Sequence, residues 1–472
     1  MAAGKTSPMT RITTSTEHAA AISARIDRLP ATRYIWKLVL LLSLGGCFEY
    51  YDLFFTAYIG PGLVRSGLFS NTSASFFGFS GLASFVAATF AGLFIGTLVF
   101  GYTADRFGRR LIFTYSLLWY SVATVAMAFQ SSAGGILVWR IIAGIGIGVE
   151  LVTIDTYIAE LVPKELRGRA FAFNQIVQFS VLPGVAFAAW LLVPLRPLGL
   201  DGWRWVVLIG AASAIFVWWI RRRVPESPRW LAQHGRIDEA QRLMTSLETR
   251  VSAEAGCVLP PPANAEIQPS RGSFLEIWQP PYLRRTMMLV IFNLFQTVGF
   301  YGFANWVPTL LIERGIAATS SLQYTFIIAI AAPVGPLLAV ALADKLERKW
   351  QIVLAALGIA VSGLLFARMS SAALLIVFGV LLTLSNNIMS YSFHAYQAEL
   401  YPTRIRARAI GFVYSWSRLS VVFTSFVIGF FLARFGVSGV FTLIAGSMVV
   451  VMLSIGLLGP RTNNLALETI SK

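Results

Sequence analysis

The chain has 472 residues, of which 56% are hydrophobic and only 13% are charged. A water-soluble domain needs a larger charged fraction to cover its surface, so this composition excludes one and indicates a membrane protein. The net charge of +16 would suggest nucleic-acid binding in a soluble chain, but basic residues of membrane proteins collect on the cytoplasmic side, and we expect no nucleic-acid partner.

The N-terminal part of the chain divides into a polar tail and six apolar segments. Residues 1–34 contain no apolar run and no cleavable signal, which predicts a disordered cytoplasmic tail. Apolar stretches close to the roughly 20 residues that cross a bilayer then recur. They lie at about 36–59, 82–102, 111–130, 134–158, 170–193 and 203–220, and they predict an N-terminal six-helix bundle over 35–220.

A polar interval at 221–285 follows and is predicted to be a cytoplasmic loop. Its PPPANA stretch at 260–265 is typical of a stiff linker. Residues 235–250 place Ile237, Met244 and Leu247 on one helical face, which predicts a short amphipathic helix against the membrane or the bundle.

A second set of six apolar segments predicts a C-terminal bundle over 286–459 and a cytoplasmic tail over 460–472. The segments lie at about 286–311, 321–343, 351–367, 371–397, 409–432 and 437–459. The chain is therefore predicted to be an all-α membrane protein with twelve transmembrane helices and both termini on one side.

Two short motifs are repeated at one spacing. GYTADRFGRR at 101–110 returns as ALADKLERKW at 341–350, and AELVPKELRGR returns as AELYPTRIRAR. Asp105 and Asp344 are 239 positions apart (344 − 105), as are Glu160 and Glu399 (399 − 160). A shared offset predicts two pseudo-symmetric halves, as in many transporters.

The positions of Lys and Arg predict the orientation. With the N-terminus inside, the connections on that side contain thirty of these residues and the opposite connections contain six. This asymmetry predicts cytoplasmic termini in a cell (inner) membrane.

The repeated motifs resemble those of a known family. GYTADRFGRR resembles the cytoplasmic loop signature of the major facilitator superfamily, and PESPRWLAQHGRIDEAQRLM at 225–244 is similar to the segment after the sixth helix of its sugar porters and their metabolite-transporting relatives. The resemblance covers about 36–459 and implies the major facilitator fold. The seventh segment, FQTVGFYGFANW, lacks the paired glutamines typical of sugar porters, which favours an organic acid over a sugar.

The resemblance also implies a conformational gate in the motif loops. Asp105 is expected to meet the start of the eleventh helix near Ala409, and basic residues of the loop are expected to bridge to Glu160. The alternative is that these charges only fix topology. The gate residues are Gly101, Asp105, Arg106, Gly108, Arg109, Glu160 and Arg167, with Asp344, Arg348, Glu399 and Arg406 in the second half; Lys345 could join them.

Ionisable residues inside the predicted spans are the second indication of function, since such charges are costly unless they are paired or hydrated. Gly45, Glu49, Asp52 and Thr56 form one polar stripe on the first span. Asp52 lies at a depth where it can reach Arg140 of the fourth span.

An aspartate beside an arginine can convert movement into proton uptake. The resemblance implies this proton-coupling role for Asp52 and Arg140, with Glu49 and Glu150 as further candidates. The alternative is an ion pair that only fixes helix packing.

Substrate contacts are expected from polar and aromatic residues in mid-span. Arg418 is the foremost candidate because no acid lies in its span, so a substrate carboxylate could neutralise it. The others are Gln175, Gln178, Gln296, Tyr301, Asn305, Trp306, Asn387 and Tyr391, with Asn293, Asn386, His394 and Trp416 as weaker candidates.

The sequence thus predicts a proton-coupled symporter of a small organic acid or related metabolite, with a sugar or polyol symporter as the alternative. A non-transporting sensor with this fold is the alternative of another class, and an enzyme is not expected. GIGIG at 144–148 lies inside an apolar segment and predicts close helix packing rather than a nucleotide loop. We expect no cofactor and no metal, a monomer in the lipid bilayer, and a small molecule and protons as partners.

Overall fold

The computed structural model describes residues 8–71, 81–100, 103–212, 215–216, 219–220, 223–262, 273–342 and 345–462, without the side chains of 8–17, 104, 105, 151, 152, 340, 342, 403, 404 and 407. These residues form helices and no strand. Ten helices within them are long and apolar enough to cross a membrane. The sixth span is interrupted by undescribed residues and the last helix contains two spans, which gives twelve.

The N-terminal six spans follow the predicted segments closely. The first is capped by Thr32, whose hydroxyl accepts from the Ile35 amide, and the fourth by Ser132. The bounds are Arg33–Tyr58, Leu82–Phe100, Arg109–Ala128, Ala133–Leu161, Arg167–Phe179 continued by Val181–Leu192, and a sixth span that begins with Gly202–Ala211.

The C-terminal six spans repeat this arrangement. They are Tyr282–Ala304, Ala318–Ala329 continued by Val334–Leu342, Arg348–Arg368, Ala372–Glu399, and the two spans of Thr403–Leu458. Gly436 separates the last two with φ 63° and ψ −165°, a backbone conformation open to glycine alone. Two large hydrophobic clusters result, one mainly in each bundle.

The second and fourth spans pack with their backbones in contact. A side chain at Gly92 or Gly144 would meet the facing backbone, and so would one at Gly148, since the carbonyl oxygen of Leu93 lies there. Small residues at a helix interface allow this approach. The prediction of close packing for GIGIG is therefore confirmed.

Gly144→Ala is expected to lower the melting temperature of the purified protein. Its Cβ would lie 2.6 Å from the Thr89 carbonyl oxygen and 3.0 Å from the Cα of Gly92. Overpacking of this kind costs roughly 1–3 kcal/mol. Gly134 lies on the same helix with no atom within 4 Å of an added Cβ, so Gly134→Ala is the matched control. Equal melting temperatures for the two variants would contradict the close approach.

The prediction of a disordered tail over 1–34 is wrong for its described part, where Pro8–Asp27 is helical. Ile22, Ile26 and Leu29 of this tail pack against a helix of the central interval, burying its Met244 and Leu247. The tail is polar in composition, but its few apolar residues lie at helical spacing and find a partner elsewhere in the chain.

That partner is the predicted amphipathic helix, which spans Ile237–Ala255. Its Glu248 accepts from Arg25 at 2.6 Å and from Arg28 at 2.7 Å. Burial would raise the pKa of Glu248, but the hydrogen bonds from the two arginines outweigh it and hold the pKa below its usual value. The attachment of the tail is therefore strongest at neutral pH and weakens as the pH falls through that lowered pKa.

Candidate functional site

Asp52 and Arg140 form an ion pair inside the N-terminal bundle, and neither side chain is exposed to solvent. Nη1 of Arg140 donates to the Asp52 carboxylate, while Nη2 donates to the Asp52 backbone carbonyl at 2.7 Å and to the Thr56 hydroxyl at 2.6 Å. Asp52 and Thr56 of the polar stripe therefore contact the fourth span, and the meeting of Asp52 with Arg140 is as the sequence predicts.

Two further threonines complete the hydrogen bonding of this pair. Thr124 donates to the second carboxylate oxygen of Asp52 at 2.7 Å, and Nε of Arg140 donates to the Thr89 hydroxyl at 2.8 Å. The guanidinium also lies over the Phe55 ring, 4.5 Å from its centroid. A buried pair is stable only when its remaining donors and acceptors are satisfied. The sequence analysis missed both threonines, since a hydroxyl in an apolar helix gives no signal of its partner.

Three more acids lie in these two spans. Glu49 and Glu150 are fully buried, and neither carboxylate oxygen of Glu49 accepts a hydrogen bond. Asp155, five residues after Glu150 on the fourth span, is exposed, and Asn174 donates to it at 3.5 Å.

Arg418 lies in the eleventh span and is 3% exposed. It donates to the hydroxyl of Tyr301 at 2.8 Å and to that of Tyr414 at 3.0 Å. No acidic residue lies in its helix, as the sequence predicts, and its described hydrogen bonds go to tyrosine hydroxyls.

Two other predicted substrate contacts lie beside Arg418. Gln296 and Tyr301 share the seventh span, and Gln296 donates to the Ser417 hydroxyl at 3.5 Å. Tyr301 also contacts Phe90 of the N-terminal bundle, with 4.6 Å between ring centroids. The seventh span therefore positions polar groups and a ring at the interface.

The remaining candidates are more dispersed. Gln178 is buried against Gly46 of the first span, while Gln175 and Tyr391 are half-buried. Asn387 donates to the Ala332 carbonyl at 2.9 Å and borders an aromatic pocket between the bundles. That pocket is lined by residues of both halves, among them Phe54, Tyr58, Phe179, Phe300 and Asn386.

Trp306 and Asn305 do not join the group around Arg418. Trp306 is 1% exposed and belongs to the hydrophobic core of the C-terminal bundle, so its prediction as a substrate contact is not supported. Asn305 is buried beside it at the end of the seventh span, and neither side-chain polar atom of Asn305 has a hydrogen-bond partner.

The weaker substrate candidates mostly contact their own helices. Asn293 donates to the Leu289 carbonyl at 2.9 Å, and a ring nitrogen of His394 lies 2.7 Å from the Ser390 carbonyl. The indole nitrogen of Trp416 has no hydrogen-bond partner.

The motif loop of the N-terminal bundle is held by two acids. Arg109 forms the predicted ion pair with Glu160 at 2.8 Å. Glu226 accepts from the backbone amides of Arg109 at 3.1 Å and of Arg110 at 3.2 Å. Glu226 was missed by the sequence analysis, although it belongs to the PESPRW segment. Gly108 has a φ of 104°, and a Cβ at this position would lie 2.7 Å from a carboxylate oxygen of Glu226, so glycine allows this close approach.

The C-terminal bundle repeats this pairing at the same offset. Arg348 contacts Glu399 at 2.6 Å, and Arg348 lies 239 positions after Arg109 (348 − 109). Arg167 donates to the carbonyl five residues before it at 3.4 Å, and Arg406 does the same at 3.0 Å. The internal symmetry therefore extends to side-chain contacts.

Three gate candidates lie outside the description. Gly101, Asp344 and the side chain of Asp105 are not among the described residues, so the expected contact near Ala409 stays a prediction. Arg106 and Lys345 are exposed, and Arg106 lies over the Phe107 ring at 5.4 Å.

The two bundles contact each other on the side opposite the termini. Trp190 and Phe326 stack at 5.8 Å between centroids, and Asn71 donates to Glu313 at 2.8 Å. These contacts hold the two bundles together on the side opposite the termini.

Comparisons with known proteins agree with this architecture. The family model of the sugar (and other) transporters matches residues 38–472. The metabolite transport protein YyaJ of Bacillus subtilis is 30% identical over 443 residues, covering 93% of this chain and 95% of the relative. The niacin transporter NiaP of Acinetobacter baylyi is 29% identical over 450 residues, covering 95% of this chain and 99% of the relative.

The solved structure of the xylose transporter XylE from E. coli, in a partially occluded inward open conformation, has the same fold. Its TM-score is 0.73 at 22% identity, and the match covers 92% of this chain and 99% of that one. The twelve-helix arrangement in two bundles is thereby confirmed.

Proposed function

The chain belongs to the sugar (and other) transporter family of the major facilitator superfamily, and on this premise we propose that it symports a small organic acid with protons by alternating access. The buried Asp52–Arg140 pair is the observation that supports proton coupling most strongly. Arg418, at the interface of the two bundles, supports an anionic substrate.

The proposed coupling follows from the contacts of Asp52. Beside Arg140, the carboxylate keeps its charge, because the guanidinium and two hydroxyls compensate it. If helix movement withdraws Arg140, the carboxylate is left buried without a counter-charge and takes a proton instead. Proton uptake at Asp52 is thus tied to the position of the fourth span.

The proposed orientation places both termini in the cytoplasm of the cell (inner) membrane. Thirty Lys and Arg residues on the terminal side against six on the other support it. We propose a monomer embedded in lipid as the functional unit, since each chain has its own interface between bundles.

The contacts of Arg418 and the known relatives together limit the class of substrate. A guanidinium held by two tyrosine hydroxyls retains further N–H donors for a carboxylate. Among the relatives, one is a niacin transporter and another an arabinose–proton symporter, so acids and sugars both occur in the family. The positive charge of Arg418 favours an organic acid over a sugar as the substrate.

Uptake into proteoliposomes tests this proposal. The panel comprises the monocarboxylates nicotinate, benzoate and hexanoate, their neutral amides, and the sugars xylose and arabinose. Uptake of each compound is measured with and without a pH gradient that is acidic outside and alkaline inside the proteoliposomes. We expect carboxylate accumulation that the gradient drives and that a protonophore abolishes. Accumulation of the sugars alone would overturn the organic-acid proposal, and uptake that ignores the gradient would overturn proton coupling.

A further inference from the structure

The aromatic pocket between the bundles has walls of one chemical kind. None of the described residues that line it is charged, and its rings come from the first, fifth and seventh spans: Phe54, Tyr58, Phe179, Phe300 and Phe303. None of these rings is more than 9% exposed, so a ligand enters only when the bundles move apart. Aromatic walls favour a planar apolar ligand, because rings pack well against the faces and edges of other rings.

One polar group of this pocket has no partner. Asn386 of the tenth span is 4% exposed, and its carboxamide oxygen accepts no hydrogen bond from the described residues. Two polar neighbours are already bonded. Asn387 donates to the Ala332 carbonyl at 2.9 Å, and Thr325 donates to the Ser321 carbonyl at 2.7 Å. A buried acceptor without a donor is costly, and a ligand that donates to Asn386 removes that cost.

Tyr301 connects this pocket to Arg418. Its hydroxyl accepts from Arg418 at 2.8 Å, and its ring contacts the ring of Phe300 with 4.9 Å between centroids. Phe300 is one of the residues that line the pocket. A ligand whose carboxylate binds Arg418 can therefore extend along Tyr301 into the pocket.

The same lining is poorly suited to a sugar. Hydroxyl groups on every side of a sugar need donors and acceptors around the whole ligand. The described lining is instead mainly aromatic and aliphatic, and Leu182, Val307 and Ile328 add to its apolar surface. An apolar ring with few polar substituents matches this surface better.

We propose that the substrate is an aromatic carboxylic acid whose ring occupies this pocket and carries a hydroxyl group that donates to Asn386. The inference rests on the proposed function, in which Arg418 holds the carboxylate, and it names the class of acid. Asn386 is then a specificity-determining residue, because an acid without the hydroxyl leaves the carboxamide oxygen unpaired.

Binding to the purified protein tests the inference without transport. Calorimetry gives the affinities for 3- and 4-hydroxybenzoate, benzoate and heptanoate, which has as many carbons as benzoate but no ring. We expect one hydroxybenzoate to bind about tenfold more tightly than benzoate, as one buried hydrogen bond allows. Benzoate should bind more tightly than heptanoate. Asn386→Leu is expected to abolish the preference for the hydroxybenzoate and to change the affinity for benzoate little.

The melting temperature of the ligand-free protein separates binding from packing. Leucine has a shape similar to that of asparagine and removes the unpaired oxygen, so Asn386→Leu should raise the melting temperature. Ser385→Ala is the matched control on the same helix, since the Ser385 hydroxyl faces the ninth span, 2.6 Å from a Cβ added at Gly358. It should keep the preference for the hydroxybenzoate. A lower melting temperature with an unchanged preference in Asn386→Leu would overturn the role of Asn386.

A second measurement locates the ring without any variant. Bound 4-azidobenzoate is irradiated, and the labelled peptides are identified by mass spectrometry. We expect labels on peptides that contain Phe179, Phe300 or Asn386, and excess 4-hydroxybenzoate should prevent them.

The outcomes distinguish this inference from the proposed function. Equal affinities for the hydroxybenzoates and benzoate, heptanoate binding as tightly as benzoate, or labelling outside the pocket would overturn the aromatic substrate. The proposed function would stand in each case, since carboxylates still bind. Failure of every carboxylate to bind, with xylose binding instead, would overturn both.

Discussion

Asp52→Asn is expected to abolish accumulation of substrate against its gradient while permitting exchange of internal for external substrate. Asparagine keeps the shape of the side chain and can still bond to Thr124 and Arg140, but it cannot hold and release a proton. Exchange requires the loaded cavity to reorient without net proton release. Accumulation ratios and counterflow rates of the same proteoliposomes, measured with labelled substrate, separate the two activities.

The matched control for this change is Asp201→Asn. Asp201 pairs with Arg196 at 2.8 Å, and the Arg196 side chain is 68% exposed, so the pair lies in water on the side opposite the termini. We expect wild-type accumulation in the control. Full pH-driven accumulation in Asp52→Asn would remove Asp52 from the coupling mechanism and leave Glu49 or Glu150 as the coupling acid.

Arg418→Gln is expected to raise the half-saturation concentration for a carboxylate about ten- to a hundredfold and to change that for its neutral amide little. Hydrogen bonds from a charged donor contribute roughly 1.5–3 kcal/mol, and each 1.4 kcal/mol corresponds to about tenfold in affinity. The amide does not need the charge, so the ratio between acid and amide reports the guanidinium. Uptake kinetics of nicotinate and nicotinamide measure that ratio.

Arg434→Gln provides the control on the same long helix. Arg434 is exposed and lies over the Phe430 ring at 5.8 Å, far along the helix from Tyr414 and Arg418. It should leave the acid-to-amide ratio unchanged. If Arg418→Gln also leaves the ratio unchanged, the substrate carboxylate does not bind there, and the sugar alternative becomes the better proposal.

Repeated patterns account for what could be predicted along the chain. The offset of 239 residues between the two halves predicts equivalent ion pairs. The structure contains them, since Arg109 pairs with Glu160 and Arg348 pairs with Glu399. Apolar segments of membrane-spanning length predict the helices because backbone groups in lipid must bond within their own segment.

The predictions of a disordered tail and of Trp306 as a substrate contact relied on local sequence, and the structure does not support them. The tail contains too few apolar residues to fold alone, yet Ile22 and Ile26 are only 3% and 1% exposed, because the amphipathic helix Ile237–Ala255 packs against them. Trp306 follows the polar Asn305 in the sequence, but the core of the C-terminal bundle encloses the ring. Burial depends on what packs against a residue, and a linear pattern does not contain that information.

The sequence by itself determined twelve spans, two related halves and the meeting of Asp52 with Arg140, because these follow from hydrophobic length, repeated motifs and helical spacing. Only the tertiary structure decided that Thr89 and Thr124 complete that pair and that Glu226 holds the motif loop. These contacts join residues from 51 to 117 positions apart in the sequence (140 − 89 and 226 − 109). The packing of helices sets them, and a helix pattern fixes the face of a residue without fixing its neighbour.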